Sequence, residues 1–208
     1  MEFGTGQRAK IGRDVCGDAF LIKEAGTRVV VAVADGLGSG PKAHLSSEVA
    51  MQGVAEHLGF ELTDILTYCH YAILTRGGVG VMMAIMRLDR VAHTLEFAGV
   101  GNIRFLAHSR EVIQPILRYG YLGARLPRLQ GFRFTYTPGD CFVLHTDGIS
   151  SRLHLHNHLS ALEQGAQHCA DLIMETYSKD HDDVTVVVVK TGELHREKQG
   201  LAFSGGEV

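Results

Sequence analysis

No stretch of the 208 residues approaches the ~18–20 consecutive apolar positions of a membrane span, so a transmembrane helix is excluded. The N-terminal segment has no basic stretch followed by an apolar core, and it reads as free of a secretory signal. Charge of one sign is lacking too: 20 Lys and Arg stand against 23 Asp and Glu. That balance leaves no excess to neutralise a phosphate backbone and argues against a nucleic-acid binder. The four cysteines, Cys16, Cys69, Cys141 and Cys169, share no CxxC spacing. A structural zinc site or a disulfide framework needs clustered pairs, so these read as thiols buried or half-buried in a reducing cytoplasm. The Gly36–Gly40 stretch lacks the lysine of a phosphate-cradling loop. Ser46, Ser47, Ser150 and Ser151 sit in no nucleophile elbow.

What is present is a chain that is 45% hydrophobic, of a length that suits one compact domain. Short β-branched runs predict strands at 19–22, 29–34, 79–88, 94–98, 102–107, 111–114, 132–136, 141–145 and 184–189. The run 29–34 is apolar at every position, the pattern of a strand covered on both faces. Helical spacing predicts helices over 42–58, from Thr63 onward, and over 158–177. Most strand connections are hairpin-short, which favours antiparallel pairing. The expected fold is α+β, an αββα sandwich of two largely antiparallel sheets flanked by helices. One domain is expected over 1–190, with a disordered polar tail over 191–208.

The acids sit in particular places. Asp35 closes the most apolar strand and Asp147 follows the strand 141–145, each with a glycine behind it. Asp18 stands before one strand, and Asp182 and Asp183 stand before the last. A carboxylate at a buried strand end needs a compensating partner, because desolvating a bare charge costs several kcal/mol. No arginine or lysine is near enough in sequence to serve each of them. A shared hard cation such as Mg²⁺ or Mn²⁺ would satisfy several together, and two such ions suit attack on phosphorus. The competing reading is that Asp-Gly is a common turn dipeptide and that the four acids are structural.

The ordered set Gly17-Asp18-Ala19-Phe20, Ala34-Asp35-Gly36-Leu37-Gly38-Ser39-Gly40, Ala98-Gly99-Val100-Gly101-Asn102, Pro138-Gly139-Asp140, Thr146-Asp147-Gly148 and Asp182-Asp183-Val184-Thr185 resembles the metal-dependent serine/threonine protein phosphatases. This is the type 2C or PPM family, and the resemblance, strongest to its SpoIIE-type branch, covers about residues 8–190. It implies a cytoplasmic protein-serine/threonine phosphatase using two divalent cations, Mn²⁺ or Mg²⁺, and a metal-activated water. Asp35 would bridge both ions and the Gly36 carbonyl would bind one. Asp147 and Asp182 would hold the other, and Asp18 would act through bound water. Asp18, Asp35, Asp147 and Asp182 thus form the implied catalytic set. Within the branch the chain is most similar to stressosome phosphatases, which implies phosphorylated STAS-domain stressosome proteins as partners and neither nucleic acid nor membrane.

Three positions depart from the wider family. Leu37 stands where eukaryotic members place a histidine general acid, and the SpoIIE branch is also apolar there. Asn102 stands where many members have an aspartate for a third ion. Arg13 has the spacing of the phosphate-binding arginine of some members, five residues before Asp18, with an ordinary surface arginine as the competing reading. A non-catalytic phosphoprotein-binding regulatory module of the same fold is the alternative function. The alternating His154, His156 and His158 read as a polar approach to a helix rather than a metal site.

Overall fold

The computed structural model describes residues 1–194. Its strands are β1 Glu2–Arg8, β2 Asp18–Ala25, β3 Arg28–Gly36, β4 Val81–Asp89, β5 Thr94–Val100, β6 Arg104–His108, β7 Gly131–Thr135, β8 Cys141–His145 and β9 Val184–Lys190. Its helices are α1 Pro41–Glu56, α2 Leu62–Thr75, α3 Leu159–Gln164 and α4 Ala166–Tyr177, with a short 3-10 turn at Leu155–His158. One sheet has the order β1-β9-β8-β6 and the other β2-β3-β4-β5-β7, and every pairing is antiparallel. This is the expected α+β sandwich. No helix among the described residues is long and apolar enough to cross a membrane.

Side-chain alternation builds three apolar layers. In β3, Val30, Ala32 and Ala34 face α1 and α2, while Val29, Val31 and Val33 face the second sheet. The strand is therefore covered on both sides, as its composition predicts. Phe142, Leu144, Val187 and Val189 meet those valines from across the inter-sheet space. Their alternate neighbours Val143, Val184, Val186 and Val188 pack under α3 and α4.

Several expected elements differ. β1 is absent from the sequence reading because Gly4 and Gly6 weaken its strand signal. Those glycines are required by α4, which crosses so closely that a Cβ on Gly4 would lie 2.1 Å from the Ala166 carbonyl oxygen. The expected helix 158–177 is broken at Gly165, whose φ of 136° lies in the left-handed half of conformational space. Glu2 secures the restart: its Oε1 accepts the Ala166 amide at 2.7 Å and caps α4. The expected strand 111–114 does not form. β6 is a sheet edge, and this segment opens a long irregular connection to β7 with Ile113 inserted into the inter-sheet core.

The buried face of α1 is partly polar. Leu45 is exposed, whereas Ser46 and Ser47 are fully buried. Ser46 Oγ accepts the Val79 amide at 2.9 Å and donates to the Lys42 carbonyl, so a polar residue fastens α1 to the entry of β4. Of the tail expected to be disordered, residues 195–208 lie outside the described residues. Thr191 is tied down, its Oγ1 donating to the Asp140 carbonyl at 2.8 Å.

Candidate active site

Asp18 opens β2 and Asp35 stands one residue before the end of β3, and the two are direct cross-strand partners. Both continue the face that carries Phe20, Val31 and Val33, so their carboxylates enter one end of the inter-sheet space. From the other sheet, Thr146 and Thr185 continue the faces of Leu144 and Val187. Thr146 Oγ1 donates to Asp18 Oδ2 at 2.8 Å and accepts the Thr185 amide at 3.0 Å. Gln7 of β1 adds its Nε2, which donates to the Asp18 carbonyl at 3.2 Å. The apolar core thus ends in hydroxyls and acids.

Asp147 reaches the same end from the loop after β8. Asn102 Nδ2 donates to its Oδ2 at 2.8 Å, and Lys179 Nζ donates to its carbonyl oxygen. The glycine behind each Asp-Gly pair is required by close approach. A Cβ on Gly148 would lie 2.0 Å from the Asp183 carbonyl oxygen, and one on Gly36 would lie 2.1 Å from the Ala43 carbonyl oxygen of α1. α1 and the Asp182-Asp183 segment are thereby drawn against the two acid-bearing loops.

Asp182 and Asp183 have different fates. Asp183 is buried and accepts two backbone amides, Lys10 at 2.8 Å and Gly17 at 2.9 Å. Its carboxylate holds the segment that leads into Asp18. Asp182 is half-buried and, among the described residues, accepts only the adjacent Asp183 amide. Arg13 lies exposed on the turn closed by its own amide and the Lys10 carbonyl, and its side chain makes no hydrogen bond or ion pair with these acids.

Burial and mutual repulsion govern the charge state. Desolvation, opposed by the Thr146 and Thr185 hydrogen bonds and reinforced by Asp183 and Asp182, lifts Asp18 to about 7. Desolvation, then repulsion from Asp18, Asp147, Asp182 and Asp183, lifts Asp35 to about 8. Asp182 is raised by burial and by Asp147, with Lys179 acting against them. Burial drives His145 down to about 4, so it stands uncharged at neutral pH.

The donors fit a hard divalent cation: every group is an oxygen, Asp18 and Asp35 are held above their ordinary range by burial and by the neighbouring carboxylates, and one buried oxygen, Asn102 Oδ1, has no partner among the described residues. Among the described residues no three His, Cys, Asp or Glu side chains close on one point as a ready-made cage. Asp18 and Asp183 are buried, and Asp35, Asp147 and Asp182 are half-buried. The His154–His158 stretch holds no such group either, and His158 Nε2 is hydrogen-bonded to the Tyr177 hydroxyl at 2.8 Å.

Residues 109–130, between β6 and β7, run beside this site. Leu122 bridges to Val81, and the Arg118 carbonyl accepts the Gly101 amide at 2.9 Å. Gly80 lies against both Tyr121 and Leu37, so the loop adjoins the chain that follows Asp35. It exposes Val112, Ile116 and Tyr119, the last at 99%. Sequence reasoning missed Thr146, Thr185, Gln7, Lys179 and this loop as parts of the site. The inward position of Thr185 could be read from alternation in Val184–Lys190, but the other contacts depend on how the sheets stack. A cavity of about 360 Å³ lined by Arg28, Arg87, Glu96 and Arg133 lies at the opposite end of β3 from Asp35.

Two antiparallel sheets with helices on both outer faces form the sandwich of the protein serine/threonine phosphatases, and the relatives of this chain place it in that class. The model of the family "Stage II sporulation protein E (SpoIIE)" matches residues 25–192. The chain belongs to that family. It is 30% identical over 184 residues to "Phosphoserine phosphatase RsbX" of Bacillus subtilis (strain 168), covering 88% of this chain and 90% of that protein. A chain of the solved structure "The bacterial stressosome: a modular system that has been adapted to control secondary messenger signaling" is similar with a TM-score of 0.85 and 33% identity, covering 90% of this chain and 97% of that one. The crystal structure of RsbX in complex with magnesium is similar with a TM-score of 0.79 and 28% identity, over 88% of this chain and 92% of that one.

Proposed function

We propose that this protein hydrolyses phosphoserine or phosphothreonine on a STAS-type stressosome protein in the cytoplasm, using two divalent cations, Mn²⁺ or Mg²⁺. The observation that carries the reading is the pairing of Asp18 with Asp35 at the mouth of the inter-sheet space. Two desolvated acids placed directly across a β-ladder are a standing liability unless positive charge joins them. The relatives RsbX and the stressosome chain support the substrate class.

In this reading Asp35, the Gly36 carbonyl, Asp147 and Asp182 would hold the two ions, and Asp18 would act through bound water. The bound ions supply charge neutralisation at the phosphoryl oxygens and an activated water nucleophile. Thr146 keeps Asp18 aligned, and Asn102 keeps Asp147 aligned. Asp183 holds the Lys10 and Gly17 amides and so secures the approach to Asp18. The adjoining loop exposes Tyr119 and Ile116 with Arg118, Arg125 and Arg128, a surface suited to a folded phosphoprotein. All four cysteines are free thiols, in keeping with a reducing compartment.

The test is phosphate release from a phosphorylated STAS-domain protein with Mn²⁺, with chelator, and with Asp35→Asn or Asp147→Asn. Metal-dependent release abolished in both variants is the expected result. Tight binding of the phosphoprotein with no release, and no turnover of an aryl phosphate, would instead make the chain a phosphoprotein-binding regulatory module.

A further inference from the structure

The structure assigns Asn102 as a positioning residue of the metal site, one whose amide cannot be exchanged for a carboxylate; the inference rests on reading the acid rim as a metal site. Asn102 follows the end of β5 and is half-buried beside Asp147. Its two polar atoms are in opposite situations. Nδ2 donates to Asp147 Oδ2 at 2.8 Å, and Oδ1 is shut away from solvent with no partner among the described residues. The orientation of the amide is not arbitrary, because an ionised carboxylate only accepts and therefore selects the NH₂ end.

A buried carbonyl oxygen left without a donor is destabilising, because it has lost its water and gained nothing in exchange. Among the described residues no lysine or arginine makes an ion pair with Asp18, Asp35, Asp147 or Asp182, and Lys179 reaches Asp147 only at its carbonyl oxygen. The arrangement makes sense if the missing partner is the cation itself or a water it holds. Nδ2 then fixes which oxygen of Asp147 is occupied by the protein and leaves the other for the ion. Oδ1 gains its partner only when the site is filled. Asn102 is thus satisfied in the loaded state and half-satisfied in the empty one, a bias toward occupancy built from a neutral side chain.

A carboxylate at this position would act in the opposite sense. Asn102→Asp preserves shape and removes the donor, placing two anionic oxygens at the 2.8 Å contact now made by the amide and Asp147. The resemblance to members with an aspartate here suggests that this change would add a third ion. The geometry says that it disturbs Asp147 instead.

The experiment measures Mn²⁺ binding to the full chain by calorimetry, with the Mn²⁺ resonance spectrum as a second readout, for the parent, Asn102→Ala and Asn102→Asp. Expected is a loss of affinity of about 10–100-fold in both variants, the range typical for removal of an outer-shell partner. No added equivalent of metal should appear in Asn102→Asp, and the spectrum of the remaining bound ion should change. Aryl phosphate turnover should show a raised metal activation constant with KM for the phosphate unchanged. Asn102→Asp is isosteric, so it carries the test even where Asn102→Ala folds poorly. Parent-like affinity and spectrum in either folded variant, or a third equivalent bound by Asn102→Asp with activity kept, overturns the assignment while leaving the phosphatase reading intact. No Mn²⁺ bound by the parent overturns both.

Discussion

Replacing Asp35 by Asn should stabilise the metal-free protein and abolish its activity. Asp35 titrates near 8 in the fold, against about 3.8 in an unfolded chain. From about pH 4 to about pH 8 the folded state keeps a proton that the unfolded state has released, so stability falls as pH rises through that window. Asp18, lifted to about 7, adds to the same slope. At pH 8 the full difference for Asp35 corresponds to a ceiling of roughly 5–6 kcal/mol. Water reaches this half-buried rim and the coupled acids relax, which brings the expected gain for Asp35→Asn to about 2–3 kcal/mol. Urea titrations in chelator at pH 8 and pH 5 measure it. The variant should exceed the parent clearly at pH 8 and by much less at pH 5. Millimolar Mg²⁺ or Mn²⁺ should then raise the parent and narrow the gap, since a ligand of the folded state stabilises by mass action. A variant no more stable than the parent at pH 8 without metal would refute the claim that uncompensated carboxylate charge strains the empty site.

Four further outcomes follow from the same geometry. Asp183→Ala strands the Lys10 and Gly17 amides and should cost about 2–6 kcal/mol in denaturant unfolding, at about 1–3 kcal/mol for each orphaned donor. Gly148→Ala forces a Cβ onto the Asp183 carbonyl and should cost about 1–3 kcal/mol with loss of metal binding, read by calorimetry. Glu2→Gln weakens the α4 cap and should lower the melting temperature by about 2–4 °C, with activity unchanged at 25 °C. Tyr119→Ser combined with Arg118→Glu should lower kcat/KM for a phosphoprotein at least about tenfold while leaving aryl phosphate turnover unaltered, given that a few exposed aromatics and arginines dominate docking.

The parts of the fold legible in the sequence are those whose signal is local. Val29–Ala34 announces a strand covered twice, and both faces are indeed occupied. Asp-Gly after an apolar run announces an acid at a strand end, and Asp35 and Asp147 stand there. What escaped reading depends on distant chain. Gly4 and Gly6 look like strand breakers until α4 is laid across them, and the 158–177 helix looks continuous until Glu2 reaches Ala166. The convergence of Asp18 with Thr146 joins residues 128 apart in sequence, and no periodicity encodes it. Ser46 and Ser47 mislead for a related reason, since hydrogen bonding lets polar side chains occupy a buried helix face.

The placement of β9 between β1 and β8 has a consequence for how the molecule comes into being. β1 pairs with β9 across nearly the whole described chain, Glu2 opposite Lys190. Neither the pairing partner of β1 nor the Asp182 and Thr185 corner exists until the final strand has been synthesised. The five-stranded sheet, by contrast, is assembled from sequential hairpins from β2 through β5. Distant closure is entropically slow, so the sheet carrying Asp18 and Asp35 is expected to form first and the pairing of β1 with β9 to follow. A ribosome-bound chain lacking its last strand would therefore display two bare acids and no competent centre. Catalytic capacity would arrive in one step, with the closing of the second sheet.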